Sequence, residues 1–416
     1  MRYDFDEIID RRGTNAENVE GFRSYMFSDD PDMKLPVADD ELIRMWVADM
    51  DFAVAPEIRE AVKARVDRKI LGYTSVFDSG YHDAFSGWCK QRYGWDFPQE
   101  QLVFSQGVVP ALYELTEDMT GPGDKILFLS PAYGPFKYAC RRSGREPVFS
   151  PLVEMEDGFK VDMEDFEAKA SDPDVKLVIW CNPHNPTGRV WTEEEAQAVA
   201  GIVERNRLWI ISDEIHCDLT RKGQQHTPMG KVMADYEKLV TCMAASKTFN
   251  LAGTMFSNII IRDEALRKTF VRNDKLGGMV NPLSLEACKA AYEKGGPWLE
   301  ELRGYLDDNF TFAVDFIREN MPGAVCRIPQ ATYLLWVDMR ACLPDIATAS
   351  AASGGAGLSR FFAEKAGVLV ESGNRLFVDN AEGFIRVNLA APRAVVREGL
   401  KRMAKAVAEH QKISAR

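Results

Sequence analysis

The stretch Val175-Lys176-Leu177-Val178-Ile179-Trp180-Cys181-Asn182-Pro183-His184-Asn185-Pro186-Thr187-Gly188 decides the fold. Lys176–Cys181 is apolar, short and rich in β-branched residues, so it reads as a buried strand. Two Asn-Pro pairs and a glycine then force the chain out of that strand, because a residue before proline avoids the helical region. A plain turn needs only one such pair. Asn185 is thereby presented at the carboxyl end of a strand. Similar runs recur at Lys125–Leu129, Leu208–Ser212, Leu239–Met243 and Asn258–Ile261, with helical patterns such as Ala111–Met119 and Glu193–Arg205 between them. Buried strands alternating with helices predict an α/β fold with a mainly parallel sheet. Ligands of such sheets bind in the loops beyond the strands' carboxyl ends.

Those loops hold the reactive residue types. Leu208–Ser212 runs into Asp213-Glu214-Ile215-His216. Strand alternation turns Asp213 and Glu214 to opposite sides. A buried carboxylate at Asp213 needs a cationic partner such as a protonated pyridine nitrogen; the alternative is a helix N-cap. Leu239–Met243 runs into Ala244-Ala245-Ser246-Lys247-Thr248-Phe249-Asn250. A lysine desolvated there has a lowered pKa and attacks carbonyls; the alternative is a surface lysine in a loop. Gly107, in Gln106-Gly107-Val108-Val109, precedes a helical pattern, whose first N–H groups can hold a phosphate; the alternative is an ordinary helix start. Tyr133 is either a ring that stacks on a planar ligand or a core aromatic. Arg386 lies inside the apolar run Phe384–Leu389 and needs an anion, either a ligand carboxylate or a structural acid.

The chain's 416 residues suggest two or three domains at about 150 residues each. Apolar residues make up 46% and charged residues 27%, an ordinary globular composition. The net charge, 51 − 63 = −12, disfavours nucleic acid and anionic membranes as partners. No apolar run reaches the roughly 18 residues of a membrane helix, and the start MRYDFDEIIDRR lacks the apolar core of a secretory signal. Eight scattered cysteines form no CxxC, which argues against structural zinc and for a reducing cytoplasm. Helical patterns at Leu299–Met321 and Ala394–Gln411, with strand-like runs at Tyr333–Val337 and Phe384–Leu389, predict a second, α+β domain. The expected division is an N-terminal segment (1–50) packing on the small domain, a large domain (51–295) and the small domain (296–416). Ala347–Gly357, rich in Ala, Ser and Gly, is expected to be a surface loop.

The order NPxNPTG, DEIH, SKTFN resembles the fold-type I pyridoxal-phosphate (PLP) enzymes, the aspartate aminotransferase superfamily, over nearly the whole chain. Tyr3-Asp4-Phe5, Asp10-Arg11-Arg12-Gly13-Thr14-Asn15, Trp46-Val47-Ala48-Asp49-Met50-Asp51-Phe52, DEIH and Phe384–Arg393 narrow the likeness to the MalY/PatB-type cystathionine β-lyases and C–S lyases. The resemblance implies the PLP-dependent transferase fold. It makes Lys247 the lysine that binds the PLP aldehyde and then takes the substrate's α-proton. It pairs Asp213 with the pyridinium nitrogen and sets Asn185 near O3′. His216 stands where the wider family has a tyrosine. Tyr133 stacks on the ring, and Gly107, Val108, Val109 and Ser246 hold the phosphate. Arg386 clamps the α-carboxylate, with Ala48 and Asn185 beside the substrate. Tyr73 reaches the phosphate of a neighbouring subunit, which implies a homodimer with shared sites.

Two positions depart from the aminotransferase pattern: Met255 replaces a phosphate-binding arginine, and Ala244 replaces a serine. Both departures favour the lyase branch. The expected activity is therefore C–S β-lysis of cystathionine, cysteine or cysteine S-conjugates, a small sulfur-containing amino-acid substrate. The alternatives are a PLP-dependent aminotransferase and a regulatory binding protein with a secondary PLP site.

Overall fold

The computed structural model describes residues 2–274, 277–349 and 357–414. A seven-stranded sheet runs in the order Leu102–Ser105, Ser257–Ile261, Leu239–Met243, Trp209–Asp213, Val175–Cys181, Lys125–Ser130, Glu146–Pro151. The five strands from Leu239–Met243 to Glu146–Pro151 pair in parallel. The other two join antiparallel. All five residues of Leu239–Met243 are buried, as an apolar strand covered on both faces must be. Leu112, Leu115 and Phe270 pack on one face of the sheet. Trp180, Trp191 and Val199 pack on the other. The helix Glu193–Arg205 begins with a capping box: Glu195 N–H donates to Thr192 Oγ1, and Thr192 N–H donates to the Glu195 carboxylate.

A second sheet has the order Ile43–Met45, Val368–Ser372, Phe384–Asn388, Leu334–Asp338, Val325–Cys326. The helices Gly296–Asn320 and Arg393–Ser414 pack on it. Gly296–Asn320 spans both units. Trp298 and Leu302 lie in the core that faces the large sheet, and Phe310 and Ile317 lie in the core of the small one. The N-terminal segment joins both as well. Phe5 packs on Phe52, Trp298 and Tyr305, whereas Ile43–Met45 is an edge strand of the small sheet.

The predicted strands form with shifts of one residue at their ends, so that Leu208–Ser212 becomes Trp209–Asp213 and Asp213 itself closes the strand. Leu102–Ser105 and Val368–Ser372 are strands beyond the predicted set, their apolar runs being only three residues long. Every residue of the first is only half-buried, and the second ends in Glu371-Ser372. The loop expected at Ala347–Gly357 is corrected at both margins. Residues 347–349 close the helix Pro344–Ala349 and Gly357 opens the helix Gly357–Ala366. Alanine's helix propensity outweighs the small-residue signal there. Residues 350–356 lie outside the described residues.

Candidate active site

A cleft of about 250 Å³ opens where the carboxyl ends of Val175–Cys181, Trp209–Asp213 and Leu239–Met243 meet the small sheet and the N-terminal segment. It brings together Lys247, Asp213, Asn185, His216, Tyr133 and Arg386, with Gly107, Val108, Val109, Ser246 and Ala48 also in its wall. Strand–loop punctuation in the large sheet supplies most of these groups. The small sheet supplies Arg386.

Lys247 lies on the short helix Ala245–Thr248, and its Nζ donates to the Ala48 carbonyl at 2.6 Å. Burial lowers its pKa to about 8. Arg386 pushes it the same way, while Asp49 and Asp213 oppose the shift. The helix is anchored from beneath. Thr248 Oγ1 donates to Asp218 at 2.9 Å, and Asp218 also accepts from Trp88 Nε1 at 3.0 Å and from the Tyr93 hydroxyl. Arg92 forms an ion pair with the same carboxylate at 3.0 Å.

Asp213 is 6% exposed. Burial raises its pKa to about 7, against a backbone hydrogen bond from Ile215 N–H at 3.2 Å that lowers it. Glu214 turns the other way, as strand alternation requires. Its oxygens accept from Ser212 Oγ at 2.8 Å and Met229 N–H at 2.9 Å, and one lies 2.7 Å from His226 Nε2. His216 is held neutral, its pKa lowered by burial to about 3, with further lowering from Lys247 and Arg386.

Arg386 is buried. It donates to the Trp46 carbonyl at 3.0 Å and to Asn185 Oδ1 at 3.4 Å. Glu371 sits directly opposite on the adjacent strand, but Arg375 grips both its oxygens, at 2.6 and 2.7 Å. Among the described residues Arg386 forms no ion pair. Tyr133 is half-buried, packed on Phe136 and Phe377, and desolvation pushes its phenol up to about 12.

The polar groups of this cleft fit a planar cofactor with a cationic ring nitrogen and an anionic tail. Asp213 faces the cavity without an ion-pair partner among the described residues. His216 Nδ1 and Arg386 Nε are buried with no hydrogen-bond partner there. The twelve-residue helix Val108–Met119 starts at the cleft wall, where Gly107, Val108 and Val109 line it, and a helix start is a place where free N–H groups can hold a phosphate. A Cβ on Gly107 would come within 3.1 Å of Pro110 Cδ, so the backbone there is closely fitted.

The model of the "Aminotransferase class I and II" family matches residues 40–403. The chain belongs to this family. It is 39% identical to cystathionine β-lyase PatB of Bacillus subtilis over 87% of this chain and 92% of that one. It is 30% identical to protein MalY of Escherichia coli over 97% of this chain and 99% of that one. Among solved structures, the PLP-bound C–S lyase of Staphylococcus hominis complexed with L-cycloserine superposes with a TM-score of 0.91 at 47% identity. The match covers 97% of this chain and 98% of that one. Cystalysin from Treponema denticola, which contains a pyridoxal 5′-phosphate cofactor, superposes with a TM-score of 0.89 at 32% identity, covering 98% of this chain and 100% of that one.

Tyr73 is the site candidate that does not reach this family member's cleft. It is 97% exposed. Met255, where the aminotransferase pattern has arginine, lines the cleft and is 57% exposed. Sequence reasoning missed Tyr25, Tyr333 and Glu371, and it missed that residues 46–49 act through backbone carbonyls. Tyr333 OH donates to the Ala48 carbonyl at 2.9 Å, and Asn388 Nδ2 donates to the carbonyls of Val47 and Asp49 at 2.7 and 2.6 Å. No residue type marks such carbonyls in a sequence. The Trp46–Phe52 stretch stood out only through its resemblance to the lyase branch.

Proposed function

We propose that this protein is a PLP-dependent carbon–sulfur β-lyase acting on L-cystathionine, cysteine or cysteine S-conjugates. The observation that carries the reading is the single cleft in which a lysine of lowered pKa, a buried unpaired carboxylate and a buried arginine without an ion pair face one another. Identity with cystathionine β-lyase PatB over most of both chains supports the choice of reaction.

Lys247, Asp213, Asn185, His216, Tyr133, Ser246 and the helix start at Gly107-Val108-Val109 would hold PLP. Bound PLP supplies an electron sink for the pair left at the substrate's Cα. Arg386 receives the α-carboxylate. Its free Nε is the donor that the Trp46 carbonyl and Asn185 leave over. With its pKa near 8, Lys247 has an appreciable amine fraction at neutral pH and takes the α-proton at Nζ. The Cβ–S bond breaks and the thiolate leaves. Water completes the balance, so cystathionine and water give pyruvate, ammonia and homocysteine. Asp213 keeps a negative charge beside the ring nitrogen while charge develops at Cα.

The functional unit in this reading is a homodimer. Ile70, Leu71, Tyr73 and Phe77 are all exposed, an apolar edge that a second copy would cover. A monomer by analytical ultracentrifugation at micromolar concentration would remove that part. All eight cysteines are free, so we place the enzyme in a reducing compartment, the cytoplasm. Among the described residues no helix is long and apolar enough to cross a membrane.

Borohydride reduction of the PLP-loaded protein, followed by peptide mapping, tests the assignment. The account expects the label on the peptide containing Lys247. A label confined to another lysine would overturn it.

A further inference from the structure

The N-terminal motif Asp10-Arg11-Arg12-Gly13-Thr14-Asn15 has no part in the chemistry above. The structure nevertheless ties it to the site. Arg11 reaches across to the strap formed by residues 46–52, where one guanidinium nitrogen lies 2.6 Å from Asp49 Oδ2 and the other 3.0 Å from Asp51 Oδ1. The three side chains are about three-quarters buried, so the pairs are less screened than surface ion pairs.

The strap's carbonyls hold both cations of the cleft, Trp46 O accepting from Arg386 and Ala48 O from Lys247. Asn388 fixes the strap from the small sheet. Asn250 fixes it from the lysine side, donating to the Met50 and Phe52 carbonyls at 3.0 and 2.9 Å. These amides fix the backbone but leave the charge of Asp49 untouched. Among the described residues Arg11 is the only cation in a salt bridge with Asp49.

We propose that Arg11 is a positioning residue of this enzyme: by gripping Asp49 and Asp51 it seats the strap against Lys247 and offsets part of the negative charge that Asp49 brings toward the lysine. The charged and titratable groups around Lys247 are Asp49 on the strap, Asp213 at the end of the central strand and His216 after it, Cys181 on the neighbouring strand, Arg386 and Glu371 on the small sheet, and the Tyr25, Tyr133 and Tyr333 phenols. Asp49 and Asp213 both favour the ammonium, Asp49 more strongly, and burial and Arg386 oppose it. His216 is neutral. Without Arg11 the field of Asp49 would act unopposed and tip that balance further toward the unreactive form. The inference rests on the reading of Lys247 as the base, but its test does not need turnover.

The test is competitive amine labelling of Lys247 in cofactor-free protein, followed by peptide mass spectrometry across pH. Arg11→Gln leaves Asp49 uncompensated and should raise the labelling midpoint by about half a pH unit or more, the scale of one partly screened charge. Asp49→Asn should lower it. The double variant should return to within about 0.2 unit of the native midpoint, which a purely structural role of Arg11 would not produce. Arg11→Lys keeps the charge and should leave the midpoint in place. If Arg11→Gln fails to fold, Asp49→Asn and Arg11→Lys still decide the matter, because an unmoved midpoint in Asp49→Asn overturns the proposal. So does a double variant shifted as far as Arg11→Gln. Variants that show these shifts, with a native protein that releases no pyruvate from L-cystathionine, would refute the lyase reading and leave the strap proposal standing.

Discussion

Replacing Asp213 with asparagine removes one negative charge from the floor of the cleft and keeps the side chain's size. Asp213 is 6% exposed, so a cation meeting it at hydrogen-bond distance is poorly screened. At about 3 Å and an effective dielectric constant near 20, the attraction is roughly 5 kcal/mol. Asparagine keeps its carbonyl oxygen for Ile215 N–H and a dipole toward the ring, so about 3–4 kcal/mol is lost. At 1.36 kcal/mol per tenfold, kcat falls about 10²–10³-fold. The burial that raises the pKa of Asp213 to about 7 in the cofactor-free protein is reversed when the cation arrives, so the loss falls on the loaded enzyme. Pyruvate release is followed by a coupled lactate dehydrogenase assay, with PLP content measured by alkaline release. A variant that carries one PLP per chain and turns over within twofold of native would refute the reasoning, because another group would then face the ring nitrogen.

Three further outcomes follow from the same geometry. Amine labelling of Lys247 in cofactor-free protein should show a midpoint near pH 8, slow below it and fast above, because burial disfavours the ammonium; a midpoint near the ordinary lysine value of about 10.4 would contradict the burial argument. Arg386→Ala should mainly raise KM, with kcat falling too if the clamp orients the Cα–H bond; an unchanged KM would mean that the carboxylate binds elsewhere. Asp218→Ala takes one of two carboxylate partners from the mostly buried Arg92, which keeps Glu300 at 2.9 Å, and leaves the buried Thr248, Trp88 and Tyr93 donors without their acceptor, so urea unfolding should show a loss of about 3 kcal/mol or more; a loss below 1 kcal/mol would show that the network does not anchor the lysine helix.

Legibility in the sequence followed the strength of each physical signal. Leu239–Met243 and Glu193–Arg205 form at the predicted bounds, because an unbroken apolar run and a capped amphipathic run each admit one structure. Lys247, Asp213 and Asn185 were visible because punctuation after a buried strand puts polar groups where a parallel sheet binds ligands. Leu102–Ser105 was not, since its apolar run, Leu102-Val103-Phe104, is only three residues long and half-buried. The strap escaped for another reason. Its contribution comes from the carbonyls of Trp46 and Ala48, which every residue type has, and from a fold that brings residues 46–49 onto Lys247 and Arg386. Glu371 could be placed only once the register opposite Arg386 was known.

The deciding measurement is turnover of L-cystathionine by the PLP-loaded protein with no keto acid added. A carbon–sulfur β-lyase gives pyruvate, ammonia and homocysteine in equal amounts over many turnovers, because elimination returns PLP unchanged. Multiple turnover that depends strictly on an added keto acid, with no thiol released, would contradict it and establish a transaminase in the same cleft.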